Sequence, residues 1–155
     1  MAMQQTFSDF EYAHRRHRTR REEFLTTMDA LLPWQDWVEM IRPYYPLGIR
    51  GRRPRGIETM LRMYLLQRWY GLSDEAIEDT INDSYSMRLF MGIDFLSQQV
   101  PGASTLGRFR KLLREKGLEE RILEEIKESL HKDGRSLQKR DVTEPFLTGQ
   151  GKKLS

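Results

Sequence analysis

Apolar residues recur at helical spacing along the middle of the chain, most densely between residues 56 and 71. In this stretch they follow the i, i+3, i+4, i+7, i+8 spacing of a helical stripe, at Ile57, Met60, Leu61, Tyr64 and Leu65. Further apolar residues widen the stripe, so that only Glu58, Thr59 and Arg62 form a polar edge. Because a helix that is apolar on nearly every side is normally buried, this segment is predicted to be the central helix of the fold.

Capping residues predict where the neighbouring helices begin and end. Thr19 and Glu22 have the spacing of a capping box, which begins a helix. Gly71 is a typical C-terminal stop for the central helix, and Ser73 is a typical N-cap for the helix that follows. The sequence therefore predicts a compact, all-α, multi-helix domain over residues 19–134.

Two short helical pieces follow the central helix and are separated by a turn at residues 82–84. Their order is that of a helix-turn-helix element, in which the second helix lies in the major groove of DNA. The same order is common in helical bundles of other function. The second piece, residues 84–91, is therefore one of two candidate groove readers.

A later helix is the stronger candidate for reading a DNA groove. Ser104 or Thr105 is predicted to cap it, and Gly117 to end it. Apolar residues form its inner side, the opposite side carries Arg108 and Lys111, and Arg110 and Arg114 flank that side. Hydroxyls at a helix N-terminus, followed by exposed cations, suit phosphate contact and the reading of base edges. Glu115 on the same side weakens this interpretation, because a carboxylate repels phosphate.

Arginines also cluster in two segments that have no helical periodicity. Residues 1–18 form a basic leader, predicted to be flexible, whose cations suit either phosphate contact or solvation. Residues 47–56 read LGIRGRRPRG and contain four arginines: Arg50, Arg52, Arg53 and Arg55. Glycine lets a backbone approach the minor groove closely, where flanking guanidinium groups meet a negative potential. This segment is a candidate DNA contact, and a solvated loop is the alternative.

Composition narrows the classes of function. The chain of 155 residues has no cysteine, which excludes disulfides, thiol chemistry and cysteine-based zinc sites. Lys and Arg number 26 against 23 Asp and Glu, and clustered cations above a near-balanced total favour an anionic partner such as nucleic acid. No apolar run approaches the roughly 20 residues that cross a bilayer, and no signal peptide is recognised. A cytoplasmic, nucleoid-associated location without membrane contact is expected.

Carboxylates on the last predicted helix invite a catalytic or metal-binding interpretation. They are Glu119, Glu120, Glu124, Glu125 and Glu128. A solvated helix face is preferred, because Arg121 and Glu125 have the spacing of an ordinary intrahelical ion pair. Periodicity ends after residue 134, and residues 135–155 are predicted to be an irregular, flexible tail.

Three separated segments carry a family resemblance. They read TRREEFLTTMDALLPWQDWVEMIRPYYP, GRRPRGIETMLRMYLLQRWYGLSDEAIEDTINDSYSMRLFMGID and STLGRFRKLLREKGL, and they fall within residues 19–118. These segments resemble the N-terminal region of InsH-type insertion-sequence transposases, the insertion sequence five family of the DDE superfamily. The resemblance implies a helical domain that recognises the terminal inverted repeats of a mobile element. In full-length relatives a ribonuclease-H-like domain follows, whose two aspartates and one glutamate hold divalent metals for strand cleavage and joining.

The chain departs from that family in two places. The family usually has Pro-Asp-x-Thr-Thr where residues 101–105 read PGAST. Relatives continue with an apolar strand that carries the first catalytic aspartate, whereas Asp141 follows the polar residues 138–140. The expectation is a fragment truncated before its catalytic domain, with no strand-transfer chemistry, cofactor or metal of its own.

The sequence therefore predicts specific binding of double-stranded DNA at terminal inverted repeats, as part of DNA transposition. The predicted contacts are Arg50, Arg52, Arg53, Arg55, Ser104, Thr105, Arg108, Arg110, Lys111 and Arg114. The alternative is a helical interaction module that associates with intact transposase, or with a second copy of the chain, and inhibits or represses transposition. An enzyme acting alone is least favoured, since the acidic residues have ordinary ion-pair spacing.

Overall fold

The computed structural model describes residues 18–46, 56–94, 96–135 and 142. This part of the chain consists of α-helices, one short 3-10 helix and their connections, without any strand. The elements are α1 (Arg20–Leu31), α2 (Trp34–Ile41), η1 (Arg42–Tyr44), α3 (Ile57–Tyr70), α4 (Asp74–Asp83), α5 (Tyr85–Met91), α6 (Ala103–Glu115) and α7 (Leu118–Lys132). The prediction of a compact all-α fold is confirmed.

Helix α3 lies at the centre of the fold, as its apolar pattern predicts. It packs against α2, α4, α5 and α6, and ten of its 14 residues are buried. Every residue from Met60 to Gln67 is buried. Because consecutive residues of a helix point about 100° apart, this run of burial means that neighbouring elements cover α3 on all sides.

Caps fix the ends of the first helices where the sequence predicts them. The Thr19 hydroxyl accepts a hydrogen bond from the backbone N–H of Glu22 at 3.1 Å. The Ser73 hydroxyl accepts one from the backbone N–H of Ala76, also at 3.1 Å. Gly71 ends α3 in the left-handed conformation, with φ of 62°, which glycine adopts without the steric cost of a Cβ atom.

Arg62 does not form the exposed polar edge that the sequence predicts, because its side chain is only 11% exposed. Its guanidinium contacts Asp29 at 2.8 Å, Glu58 at 2.9 Å and the Phe90 carbonyl oxygen at 2.7 Å. The same group lies 4.2 Å from the centre of the Trp34 ring. A buried cation is tolerated when its donors are paired. Glu58 lies on the same helix as Arg62, whereas Asp29, Trp34 and Phe90 come from other helices. Arg62 therefore joins α1, α2 and α5 to α3.

The helix-turn-helix prediction for α4 and α5 is not supported by their geometry. A single residue, Ser84, both ends α4 and caps α5, whereas the connection in a helix-turn-helix has about three to four residues. Helix α5 packs against α1, α3 and α4. Four of its seven residues are buried: Ser86, Met87, Phe90 and Met91. Helix α5 is therefore short and largely enclosed, and it has little exposed surface that could contact a DNA groove.

The predicted leader and tail lie almost entirely outside the described residues. At the leader's end, Arg18 packs beside α1, where it donates to Thr26 at 3.3 Å. In the tail, Val142 is only 6% exposed and belongs to the hydrophobic core. Among the helices of the described ranges, none is long and apolar enough to cross a membrane.

Candidate nucleic-acid interface

Helix α6 carries every predicted DNA contact that falls within the described residues. Four of the ten predicted contacts, Arg50, Arg52, Arg53 and Arg55, lie outside those residues. The other six are Ser104, Thr105, Arg108, Arg110, Lys111 and Arg114. The geometry of α6 therefore decides how these six side chains are presented.

The prediction that Ser104 or Thr105 caps α6 is wrong. Gly102 is the N-cap, with the extended φ of −78° and ψ of 167°, and no side chain caps the helix. The Gly102 carbonyl accepts the first helical hydrogen bond from the N–H of Leu106 at 3.1 Å. Because glycine is an acceptable N-cap, the helix begins before the predicted cap residues. Ser104 and Thr105 therefore occupy the first turn itself, with backbone N–H groups at its N-terminal end left without side-chain partners.

One face of α6 forms an exposed ridge of polar and charged side chains. It consists of Ser104, Arg108, Lys111 and Glu115, which follow one another at helical spacing and are all exposed. Arg108 donates to the Thr105 hydroxyl at 3.4 Å, and Lys111 lies 4.0 Å from Glu115. Contacts so long and so exposed contribute little free energy. The ridge cations are therefore available to an anionic partner at small cost.

Arg110, in contrast, lies on the flank of α6 that faces α4. Its guanidinium donates to the two carboxylate oxygens of Asp74 at 2.6 and 3.1 Å, and to Gln67 Oε1 at 3.0 Å. The hydrogen bond from Arg110, and to a smaller extent the one from Gln67, keeps the pKa of the Asp74 carboxyl below its usual value, although burial acts to raise it. The Asp74 hydrogen bond likewise raises the pKa of Arg110. Arg110 is thus an interhelical contact.

Arg114 is also paired, on the flank that faces α7. Its Nε lies 3.2 Å from a carboxylate oxygen of Glu119, and Glu119 accepts a further hydrogen bond from the Tyr64 hydroxyl. Burial, followed by the negative charge of Glu119, raises the pKa of Tyr64 far above its usual value. The Arg114 side chain remains 49% exposed. The cations of α6 thus divide into an exposed ridge and two paired flanks.

The residues just before the predicted arginine segment lie against α6. Tyr45 packs edge-on against Phe109, with ring centres 6.2 Å apart. The ammonium of Lys116 lies 5.4 Å from the centre of the exposed Tyr44 ring. Pro46, the last described residue before the arginine segment, therefore follows two tyrosines that lie beside the C-terminal half of α6. The sequence does not indicate this proximity, since 64 residues separate Tyr45 from Phe109 and 72 separate Tyr44 from Lys116.

The acidic residues of α7 have the distribution expected of a solvated face. Glu120, Glu124 and Glu128 are exposed. The predicted pair of Arg121 and Glu125 is confirmed at 3.1 Å, and Glu125 also accepts a hydrogen bond from Trp37 Nε1 at 2.8 Å. Across the part of the chain that the structure describes, no group of three or more acidic, histidine or cysteine side chains is placed to hold a metal ion.

Comparison with known proteins places the chain in a family. Residues 13–112 match the family model described as "Transposase domain (DUF772)". This range contains α1 to α5, the arginine segment and α6 as far as Leu112, so it includes Ser104, Arg108 and Lys111. No solved structure matches the chain. Because the match spans well over half of the 155 residues, the chain belongs to the transposase-domain family.

Proposed function

We propose that this protein binds the terminal inverted repeats of an insertion sequence, as the DNA-binding part of a transposase, and that α6 enters the DNA groove. The observation that carries the proposal is the exposed ridge on α6. Membership of the transposase-domain family makes DNA the anionic partner to consider first. The helix lies in that family match, apart from its last three residues.

The dimensions of α6 suit the major groove. Its 13 residues give a length of about 20 Å, and the groove of B-DNA, about 12 Å wide, admits one α-helix. In the proposed arrangement the N-terminal turn with Ser104 approaches a phosphate, Arg108 contacts a base edge and Lys111 contacts a second phosphate. Glu115 marks the end of the contact, because its carboxylate repels the backbone.

The arginine segment would supply a second set of contacts. Arg50, Arg52, Arg53 and Arg55 are proposed to hold the minor groove or the phosphates beside the groove that α6 occupies. Support comes from the contacts of Tyr44 with Lys116 and of Tyr45 with Phe109, which place the residues just before the segment beside α6. Contacts from an arm and a helix together would make binding strongly dependent on salt.

The finer family assignment is part of this proposal. The three quoted segments resemble InsH-type transposases of the DDE superfamily, in which terminal repeats are recognised by the N-terminal region. Cleavage and joining of strands would then depend on a ribonuclease-H-like domain and its divalent metals. The role proposed for the described residues is recognition and positioning of the DNA.

Fluorescence anisotropy tests the proposal directly. The duplexes are the element's terminal repeat and a shuffled duplex of equal composition, each measured at two salt concentrations. We expect tighter binding to the repeat, and a steep loss of affinity with salt for both duplexes. Weak and equal binding to the two duplexes would contradict the proposal.

Association with intact transposase is a second candidate function, which one observation favours. Leu96 is 82% exposed on the loop between α5 and α6. Asp94 fixes this loop by accepting hydrogen bonds from the Leu96 N–H at 3.0 Å and the Ser97 hydroxyl at 2.9 Å. An apolar side chain presented beside a carboxylate suits a protein partner better than phosphate. Mixing with full-length transposase in the absence of DNA should give a complex that Leu96→Ser weakens; no complex would rule this candidate out.

A further inference from the structure

Three side chains from three helices form a closed polar cluster behind the ridge of α6. Arg110 donates to both oxygens of Asp74 and to the side-chain oxygen of Gln67. Gln67 Nε2 in turn donates to Asp74 Oδ1 at 2.5 Å. Each member of the cluster is thus joined directly to the other two. Such a network restricts the relative positions of the three helices more than a single ion pair does.

The cluster ties α6 to two other helices at once. Gln67 is buried near the end of α3, Asp74 is the first residue of α4, and Arg110 lies midway along α6. The side chains of Asp74 and Arg110 are only 24% and 22% exposed, and reduced solvation strengthens their attraction. A two-pronged guanidinium–carboxylate contact has a narrow range of productive geometry. Together with the buried Leu106, Phe109 and Leu113, it therefore fixes the rotation of α6 about its own axis.

The same contact also keeps the cation of Arg110 paired on the side of α6 away from the ridge. From the geometry of an α-helix, Arg110 lies about 100° around the axis from Lys111 and about 160° from Arg108. The pair lies directly beside Gly107, where an added Cβ atom would be in ordinary contact with Asp74 Oδ2 at 3.6 Å. A guanidinium held by a carboxylate does not neutralise a phosphate. Arg110 then adds nothing to sequence-independent binding.

We propose that Asp74 is a positioning residue for DNA recognition, which turns the ridge of α6 towards the groove and withholds the charge of Arg110 from the DNA backbone. The inference rests on the DNA binding proposed above. Removal of the Asp74 charge has two separate consequences. Helix α6 loses one of the contacts that fix its rotation, so preference for the repeat falls. The long side chain of Arg110, released from its carboxylate, extends to a phosphate at the edge of the groove, so affinity for any duplex rises.

The test compares variants of the whole chain on the terminal repeat and on the shuffled duplex over a series of salt concentrations. In Asp74→Asn we expect a lower ratio of repeat to shuffled affinity. We also expect the salt slope on the shuffled duplex to steepen by about 0.9, which corresponds to one more phosphate contact. Glu75→Gln is the matched control, because it removes one carboxylate from an exposed neighbouring position of the same helical turn. Its slope and ratio should equal those of the wild type.

Two further variants separate the released charge from a general loss of structure. In Asp74→Asn/Arg110→Gln the released cation is absent, so the salt slope should return to the wild-type value while the affinity ratio stays low. Arg110→Lys keeps the charge but forfeits the two-pronged contact, so its ratio should fall while circular dichroism still shows a folded helical protein. A variant set in which every folded member keeps the wild-type ratio and slope would overturn the positioning role.

Failure of this inference is distinguishable from failure of the proposed function. A wild-type protein that prefers the repeat, together with an Asp74→Asn variant that behaves identically, contradicts the role of Asp74 and leaves DNA recognition intact. A wild-type protein without any preference removes the recognition function and this inference with it. Equal changes in Glu75→Gln and Asp74→Asn would also overturn the inference, because the effect would then be one of net charge.

Discussion

The guanidinium of Arg62 lies 4.2 Å from the centre of the Trp34 ring, although 28 residues separate the two in the chain. The Phe90 ring lies 4.8 Å from the same group on another helix. Cations at such distances from aromatic faces are attracted electrostatically. Together with Asp29 and Glu58, these contacts make one arginine the meeting point of four helices.

Replacement of Arg62 is expected to destabilise the fold substantially. Arg62→Met keeps most of the apolar contact but leaves the Phe90 carbonyl without its donor, which costs about 1–3 kcal/mol for a buried polar group. Arg62→Ala should cost more, because a cavity forms beside the rings. Urea denaturation measures both. The control is Arg121→Ala, which removes an exposed ion pair and should change the free energy of unfolding by less than about 1 kcal/mol; equal effects at both positions would contradict the role of Arg62.

The sequence is sufficient to predict the main helices, because their signals are local. Thr19, Ser73 and Gly71 act within one helical turn, and apolar spacing identifies α3 as central. The burial of Arg62 is not predictable in this way. Asp29, Trp34 and Phe90 lie on other helices, and a charged residue on an otherwise apolar helix is by default assigned to the solvent. Helix α6 also begins before its predicted hydroxyl caps, since Gly102 serves instead.

Only part of the candidate interface is visible in the sequence. The spacing of Arg108 and Lys111 predicts their common exposed face. The same spacing puts Arg110 on a flank, but it does not indicate its partners Gln67 and Asp74, which are 43 and 36 residues away. An arginine that binds DNA and an arginine that pairs with a neighbouring helix contribute equally to the composition and net charge of the chain. Only the tertiary arrangement separates the two roles.

Arg108→Ala should reduce discrimination between DNA sequences. Arg108 belongs to the exposed ridge, and its contact with Thr105 is long, at 3.4 Å. A good contact between an arginine and a base is worth about 1–3 kcal/mol of discrimination, so the ratio of repeat to shuffled affinity should fall at least several-fold. Anisotropy measures the ratio, and Arg121→Ala on α7 is the matched control. A ratio that stays at the wild-type value would exclude Arg108 as a base-reading residue.

Arg53→Ala should instead weaken binding to all duplexes alike. Its proposed partner is the sugar-phosphate backbone or a minor groove, where the guanidinium acts mainly as a charge. Loss of one phosphate contact should reduce the steepness of the salt dependence by about 0.9, on the repeat and on the shuffled duplex. If Arg53→Ala lowered affinity for the repeat alone, the segment would have a sequence-reading role, contrary to this assignment.

Gly107→Ala should stabilise the protein. Gly107 lies in the interior of α6, where glycine costs roughly 0.5–1 kcal/mol relative to alanine. An added Cβ would meet Asp74 Oδ2 at 3.6 Å and Arg110 Nη2 at 3.8 Å, which is ordinary van der Waals contact. The midpoint of thermal unfolding should therefore rise. Gly107→Leu is the contrasting variant, since its longer side chain competes for the space of the Asp74–Arg110 pair; a rise of equal size for both would show that the space is not restricted.

The Asp74–Arg110 pair should make stability depend on pH in the acid range. The hydrogen bond from Arg110 lowers the pKa of Asp74 in the folded state, whereas an unfolded chain has an aspartate pKa of about 3.9. The folded state therefore binds this proton less readily, and the contribution of the pair is present above that value. It is lost as the pH falls through the lower folded pKa. Urea denaturation between neutral and strongly acid pH should show a smaller acid loss of stability in Asp74→Asn and in Arg110→Gln than in the wild type. Unchanged acid sensitivity in both variants would mean that the pair does not contribute to stability.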